Sequence, residues 1–299
     1  MPRYRGSWLF AQMAMQWRAR TTAVRAVHIT DPDALIALRG RKLFATAYDL
    51  IPLKEGVNRR RLIAWAGYER YLRALRHADL VFAISAQTAH DLVRLLGLPP
   101  DRIAVAPPGI EIPSPLRGEG LEKYFLFIGG PNPNKNLHVL LDAVAISREL
   151  PEQLRIVGQW LPNQLEDLQR TLHAKGLAGR VHHLGYVPAA DLIALIDQAT
   201  ALVIPSLDEG FGIPVGEGLA AGAVVIHSRI PVLEEVSAGN ALTFDPHSTE
   251  ELAACLRRVS ADPQLRADLR ARGAIRARQL TWQVAVDNTL AAYRQVLET

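Results

Sequence analysis

Residues 200–228 read TALVIPSLDEGFGIPVGEGLAAGAVVIHS. TALVIPS (200–206) is an apolar run of strand length, and AVVIHS (223–228) is another. Between them Pro214 suits the first position of a helix that can run to Gly222. A strand, a helix and a second strand in succession point to a parallel sheet in an α/β protein. Glu209 then falls in the loop beyond a strand end, and Glu217 in the first turn of the helix. Gly210 and Gly212, flanking Phe211, let the backbone come close to a ligand with its N–H groups exposed. A helix start adds free N–H donors that suit phosphate; Pro214 has none, so those of Val215 and Gly216 are the candidates. Carboxylates repel phosphate, so Glu209 and Glu217 are expected to face hydroxyl groups. A ligand with both sugar hydroxyls and phosphates satisfies every part. Glu217 keeps a second reading, because a glutamate in a first turn also stabilises the helix dipole with no ligand.

The same alternation extends outward. Strands are expected at AVHIT (26–30), KLFATA (42–47), ADLVFAIS (78–85) and IAVAPPG (103–109), with helices at about 58–76 and 86–97. The Pro/Gly-rich stretch 107–120 reads as a linker. A second series follows with strands YFLFIGG (124–130), LRIVG (154–158), VHHLG (181–185) and ALTFDP (241–246), helices at 136–147 and 189–198, and a last helix from Leu280 to Glu298. The chain therefore reads as two doubly wound α/β domains. In such sheets ligands bind beyond the carboxyl ends of strands, and in two-domain α/β proteins in the cleft between domains.

Two more loops follow strands. In GGPNPNKNLHVLL (129–141), Lys135 near the start of the next helix is placed to reach a phosphate as a point charge, or is a solvated surface residue. In AYDLIPL (47–53), Tyr48 and Asp49 are expected to face the cleft, or to be a packed tyrosine and a capping aspartate. His182 and His183 have no third ligand at metal spacing, so no metal site is expected there.

Composition narrows the class. Of 299 residues, 49% are hydrophobic and 21% charged, which is globular and long enough for two domains. No apolar run reaches ~18 residues, so no transmembrane helix is expected. The opening MPRYRGSWLFAQMAMQWRAR lacks a small-residue cleavage site and is not read as a signal peptide. Its Trp8, Leu9, Phe10, Met13 and Trp17 among arginines suit either an anionic bilayer surface or a helix packed on its own domain. The net charge of +4 comes from basic residues spread along the chain, with no zinc-finger spacing or RNA-binding aromatic motif, so nucleic acid is not an expected partner. The single cysteine, Cys255, forms no internal disulfide, suits a reducing cytoplasm and reads as a buried hydrophobe.

These stretches resemble the retaining glycosyltransferases of GT-B fold, the "glycosyl transferases group 1" family. ATAYDLIPL (45–53) resembles the family's T-x-HDLIPL segment, and ADLVFAISAQTAHDL (78–92) another. FIGGPNPNKNLHVLLDA (127–143) resembles its G-x-x-x-x-R-K-N loop, and residues 184–228 its E-x7-E signature. LEEVSAGNALTFDP (233–246) and residues 281–297 match as well. The resemblance implies two Rossmann-like domains facing a cleft: an acceptor domain at 1–112, a nucleotide-sugar domain at 113–280, and a C-terminal helix at 281–299 packing toward the first domain.

The activity it implies is metal-independent transfer of a hexose from a nucleotide diphosphate sugar, with GDP-mannose one candidate, to a glycan or lipid-linked acceptor. It implies no cofactor beyond that co-substrate. The setting would be the cytoplasm or the inner face of its membrane. On this resemblance Glu209 and the N–H groups of Gly210, Phe211 and Gly212 hold the donor sugar, with Tyr48 and Asp49 on the sugar side. Glu217 holds the ribose, Lys135 neutralises the leaving diphosphate, and Gly130, Asn134, Val215 and Gly216 lie along the nucleotide. Tyr186 and Val187 touch the base.

Three features depart from the family. Asn134 stands where an arginine is expected, and Tyr48 where a histidine is. Residues 1–25 supply no strand with a glycine-rich loop, so the acceptor domain is expected to be short by one β–α unit of ~30 residues. These departures leave a second reading, a non-catalytic nucleotide-sugar-binding subunit; the shared fold leaves a third, a sugar phosphorylase or synthase.

Overall fold

The computed structural model describes residues 25–30, 41–54, 62–113 and 123–298, with only the backbone of 62–67. The amphipathic stretch within 1–24 and linker residues 114–120 lie outside the described residues. The chain divides into two compact units, Met1–Pro107 with Ala285–Thr299, and Pro108–Val284.

The first unit holds a parallel four-stranded sheet in the order β1 (Ala26–Ile29), β2 (Lys42–Ala47), β3 (Leu80–Ala83), β4 (Ile103–Val105). Its two faces follow from strand alternation. Ala45, Ala47, Val81 and Ala83 face a cluster with Leu72, Leu75 and Leu92 from the helices Leu62–His77 and Ala86–Leu96. Phe44, Leu80 and Phe82 point the other way, onto Ala292 and Tyr293 of the helix Trp282–Leu297. Each large apolar side chain so buried contributes roughly 1.5–3 kcal/mol. The helix Ala86–Leu96 is set by its ends: Ser85 Oγ accepts from Thr88 N–H at 3.0 Å, and Gly97 closes it at φ 66°. β4 stops at Val105 rather than reaching residue 109, since Pro107 and Pro108 carry no N–H for the ladder.

The second unit holds a parallel six-stranded sheet: β5 (Tyr124–Ile128), β6 (Gln153–Val157), β7 (Val181–Gly185), β8 (Ala201–Ile204), β9 (Val225–Ser228) and β10 (Leu242–Phe244). Their spatial order is β10-β9-β8-β5-β6-β7. Chain order thus reverses between β5 and β8, so the connections after them leave in opposite directions and open a crevice at their carboxyl ends. The central strands β8 and β9 are buried throughout, which is why they read as unbroken apolar runs. Phe125, Phe127, Leu140, Leu154, Ile156, Val203, Ile226 and Phe244 form the core of this unit. Cys255 is buried in the helix Thr249–Ala261, and burial pushes its thiol pKa up, away from the reactive thiolate.

Candidate functional site

The loops after β5 and β8 meet at the point where strand order reverses. Beyond β5 the chain runs through Gly129–Asn132 into a 3-10 turn, Pro133–Lys135, before the helix Leu137–Ile146. Lys135 therefore sits in the turn ahead of the helix, not on its first residues. Beyond β8 come Pro205, Ser206 and the 207–212 loop, then the helix Ile213–Ala220. Leu207 N–H donates to Asn134 O at 2.7 Å, and Asn134 Nδ2 reaches Asp208 O at 3.4 Å, so the two loops are joined along their backbones. Asn136 is 1% exposed, in the left-handed region at φ 53°; its Nδ2 donates to Pro205 O at 2.9 Å and Pro246 O at 2.8 Å. One amide thereby ties together the loops that follow β5, β8 and β10.

This framework brings Lys135 and Glu209, distant in sequence, into direct contact. Lys135 Nζ donates to Glu209 Oε1 at 2.7 Å, and Ser206 Oγ donates to the same oxygen at 2.7 Å. Glu209 N–H donates to Asp208 Oδ1 at 2.9 Å. The side chains of Lys135 and Glu209 are 23% and 11% exposed, sheltered enough that their attraction exceeds that of a surface pair yet open to an incoming ligand.

The helix after Glu209 begins one residue earlier than expected, at Ile213, because Gly212 makes the turn at φ 90°. Two consequences correct the sequence reading. Val215 and Gly216 are not free donors, since both N–H groups donate to Gly212 O at 2.9 and 3.4 Å. Glu217 lies in the second turn, so stabilisation of the helix start does not explain it. Among the described residues the N–H groups of Phe211, Gly212 and Ile213 donate to nothing, which moves the uncommitted donors a few residues toward Glu209. Phe211 itself is buried, and Gly216 packs so closely that a Cβ there would lie 2.7 Å from Ile110 Cγ1. Among the described residues the Glu217 carboxyl finds no hydrogen-bond partner, and its partial burial raises its pKa; hydroxyl donors would relieve that desolvation.

The other candidates are placed as follows. Gly130 is open, with only Asn132 Nδ2 near a would-be Cβ, at 3.8 Å. Tyr186 projects at the end of β7, 74% exposed, beside half-buried Val187. Tyr48 and Asp49 belong to the first unit: Tyr48 Oη donates to Thr30 O at 2.8 Å, and Asp49 Oδ1 accepts from Ile51 N–H at 3.1 Å, the capping role. His183 packs against Trp160, ring centres 5.0 Å apart. Among the described residues no three His, Cys, Asp or Glu side chains converge on a metal position. No described helix is long and apolar enough to cross a membrane. A cavity of about 500 Å³ opens in the first unit beside His28 and Tyr293, and one of about 520 Å³ in the second beside Trp160 and His138. Neither is lined by Glu209, which is held against Lys135 instead.

Sequence reading missed Ser206, Asn136 and the pair Ser228–His227. Ser228 Oγ donates to Ser206 O at 2.5 Å, at the start of the Glu209 loop. His227 is fully buried on β9, its Nδ1 2.8 Å from Ser228 O and its Nε2 2.9 Å from Ser237 Oγ. A carbonyl only accepts, so Nδ1 carries the proton and Nε2 accepts from Ser237. Burial lowers the His227 pKa to about 4 from 6.5. The unfolded chain therefore binds more protons between these values, and stability present above pH 6.5 is lost as pH falls toward 4. The loss from this one group is about 2–3 kcal/mol by pH ~4.5. Urea midpoints at pH ~7.5 and ~4.5 are expected to separate in the wild type and to draw together in His227→Gln, which cannot take up the charge. An equal separation in both proteins would contradict this.

Residues 111–276 match the family model "Glycosyl transferases group 1", and residues 1–112 that of "Glycosyltransferase Family 4". The chain belongs to the glycosyl transferases group 1 family. It is 29% identical over 238 residues to O-antigen chain mannosyltransferase B of Escherichia coli, covering 74% of this chain and 62% of that protein. It is 31% identical over 251 residues to a D-inositol 3-phosphate glycosyltransferase of Thermomonospora curvata, covering 74% and 58%. The chain thus spans less than two thirds of the length of these relatives. Among solved structures, a sucrose-phosphate synthase from Thermosynechococcus elongatus superposes with a TM-score of 0.80 at 20% identity, covering all of this chain and 80% of that one. Anabaena HepE in complex with UDP-glucose superposes with a TM-score of 0.70 at 20% identity, covering 84% and 72%. Both likenesses confirm two Rossmann-like domains of the GT-B kind.

Proposed function

We propose that the chain transfers a hexosyl group from a nucleotide diphosphate sugar to a hydroxyl of a glycan or lipid-linked acceptor, with retention of configuration. The observation that carries this reading is the meeting of Lys135 and Glu209 at the reversal of strand order, beside the uncommitted N–H groups of Phe211, Gly212 and Ile213. As the bond from the anomeric carbon to the diphosphate oxygen breaks, negative charge grows on phosphate. Lys135 and these unbonded N–H groups stabilise that charge most at the transition state. Glu209 supports positive charge at the anomeric carbon and accepts from sugar hydroxyls; Glu217 accepts from the ribose. The departing phosphate oxygen takes the acceptor's proton while the acceptor oxygen bonds to the anomeric carbon on the same face. Lys135 supplies the cation, so the reading calls for no metal or other cofactor.

The names of several relatives favour mannose as the sugar, and one of them, an O-antigen chain mannosyltransferase, favours a bacterial surface polysaccharide as the product; GDP is the carrier we propose for it. A lipid-linked acceptor would place the protein at the inner face of the cytoplasmic membrane. A second reading is favoured by Asn134, whose amide is spent on Asp208 O where an arginine would meet phosphate: a subunit that binds nucleotide sugar without turning it over. Thermal shifts against GDP-, UDP-, ADP- and dTDP-sugars separate these readings when followed by transfer assays. A ligand at ~100 times its dissociation constant stabilises by about 2.7 kcal/mol. One sugar nucleotide is expected to raise the melting temperature and to be consumed in the presence of acceptor. Binding without turnover across acceptors selects the second reading, and binding of none rejects both.

A further inference from the structure

We propose that Glu209 also occupies Lys135 in place of a phosphate, and that this exchange makes the site favour an intact nucleotide sugar over the free nucleoside diphosphate. The inference rests on the reading of this site as a nucleotide-sugar cradle, and deepens it by assigning what it discriminates.

The contact is built, not incidental. Its partners come from the two strands that flank the reversal of strand order, and both loops are held by bonds that do not involve the pair. These are Leu207 N–H to Asn134 O at 2.7 Å and Asn136 Nδ2 to Pro205 O at 2.9 Å. Ser206 Oγ, 2.7 Å from Glu209 Oε1, holds the same carboxylate oxygen from the end of β8, while Lys135 reaches it from the loop after β5. With the Glu209 side chain 11% exposed, little water replaces Lys135 if it leaves.

A diphosphate reaching Lys135 must therefore take the ammonium from a carboxylate that stays where Ser206 and the loop hold it. A free nucleoside diphosphate makes that exchange at a loss: Glu209 gives up its cation, keeps only Ser206, and faces new negative charge close by. An intact nucleotide sugar brings its own compensation, because sugar hydroxyls donate to the carboxylate that Lys135 has left. The ion pair thus penalises the product of the reaction and spares the substrate. This is selection by an unpaired group in the wrong complex.

The test is calorimetric titration of GDP and UDP, and of GDP-mannose and UDP-glucose, into the wild type, Glu209→Gln and Asp208→Asn. Gln keeps the shape and the acceptor for Ser206 but removes the charge that competes for Lys135. Glu209→Gln is expected to bind the free diphosphate about tenfold more tightly than the wild type, with a smaller change or a loss for the nucleotide sugar. Asp208→Asn keeps an acceptor for Glu209 N–H but removes an equal charge one residue away, outside the ion pair, and is expected to change the diphosphate affinity less than about threefold. A diphosphate affinity that is unchanged or weaker in Glu209→Gln overturns the inference alone. So does equal tightening in Asp208→Asn, which makes the effect one of general field. Absence of binding in both the wild type and Glu209→Gln overturns the cradle reading and this inference with it.

Discussion

Glu209→Ala is expected to cut glycosyl transfer by about 10²–10³-fold while the protein stays folded. The alanine removes the one carboxylate that the structure holds between Lys135 and Ser206, and with it the group proposed to support charge at the anomeric carbon. Most of the loss should fall on kcat, because charge at that carbon develops only as the diphosphate leaves. Lys135 is left without its carboxylate, but at 23% exposure it is reachable by water, so the stability cost should be modest, about 1–2 kcal/mol. Lys135→Ala should be of similar severity, and the double variant little worse than either single one, since both act on one event. Initial rates with saturating nucleotide sugar, beside a thermal melt of each variant, decide the matter. A Glu209→Ala enzyme within about threefold of the wild-type kcat, ~0.6 kcal/mol in barrier, would remove Glu209 from the chemistry.

Asn136→Ala is expected to be the most destabilising of the loop substitutions. Its side chain donates to Pro205 O and Pro246 O from a buried position, and its backbone sits at φ 53°. Alanine forfeits both bonds, strands a buried carbonyl, and occupies the left-handed region at a cost of about 1–2 kcal/mol by itself. Together these come to about 3–5 kcal/mol. In a unit of this size that lowers the melting temperature by roughly 10 °C or more. Asn136→Gly frees the backbone term and keeps the rest, so it should melt between the two. Thermal melts of the three proteins give the ordering; glycine as damaging as alanine would assign the whole effect to the lost hydrogen bonds.

Both effects hinge on residues whose meaning depends on distant partners, and there the legibility of the sequence stops. The strands can be read because the central ones are buried on both faces and so carry unbroken apolar runs, such as YFLFI and ALVI. The loops can be read because Gly, Pro and Asn gather at strand ends. The strand order cannot, since it depends on which crossover goes which way, so the residues alone do not say that the Lys135 and Glu209 loops adjoin; only the family resemblance set both on one donor. Asn136 resembles any other loop residue, although a non-glycine residue in the left-handed region is most often Asn or Asp and its place before an apolar helix is a usable hint. Val215 and Gly216 are open donors only if the helix begins at Pro214. Gly212, by turning one residue sooner, gives their N–H groups to its own carbonyl. His227 sits inside an ordinary-looking strand, and nothing local signals that Ser237 awaits it further along the chain.

The path of the chain also carries a consequence for its synthesis. The second unit is one continuous segment, and its two ends lie together: Ile110 N–H donates to Leu280 O at 2.6 Å, and Ile110 pairs with Thr281. The first unit is split around it. Phe44, Leu80 and Phe82 find Ala292 and Tyr293 only in the helix Trp282–Leu297, which follows the whole second unit in the chain. On a ribosome, where domains form as they emerge, that face of the first sheet waits for this helix while the second unit is made and folds. The part begun first is finished last.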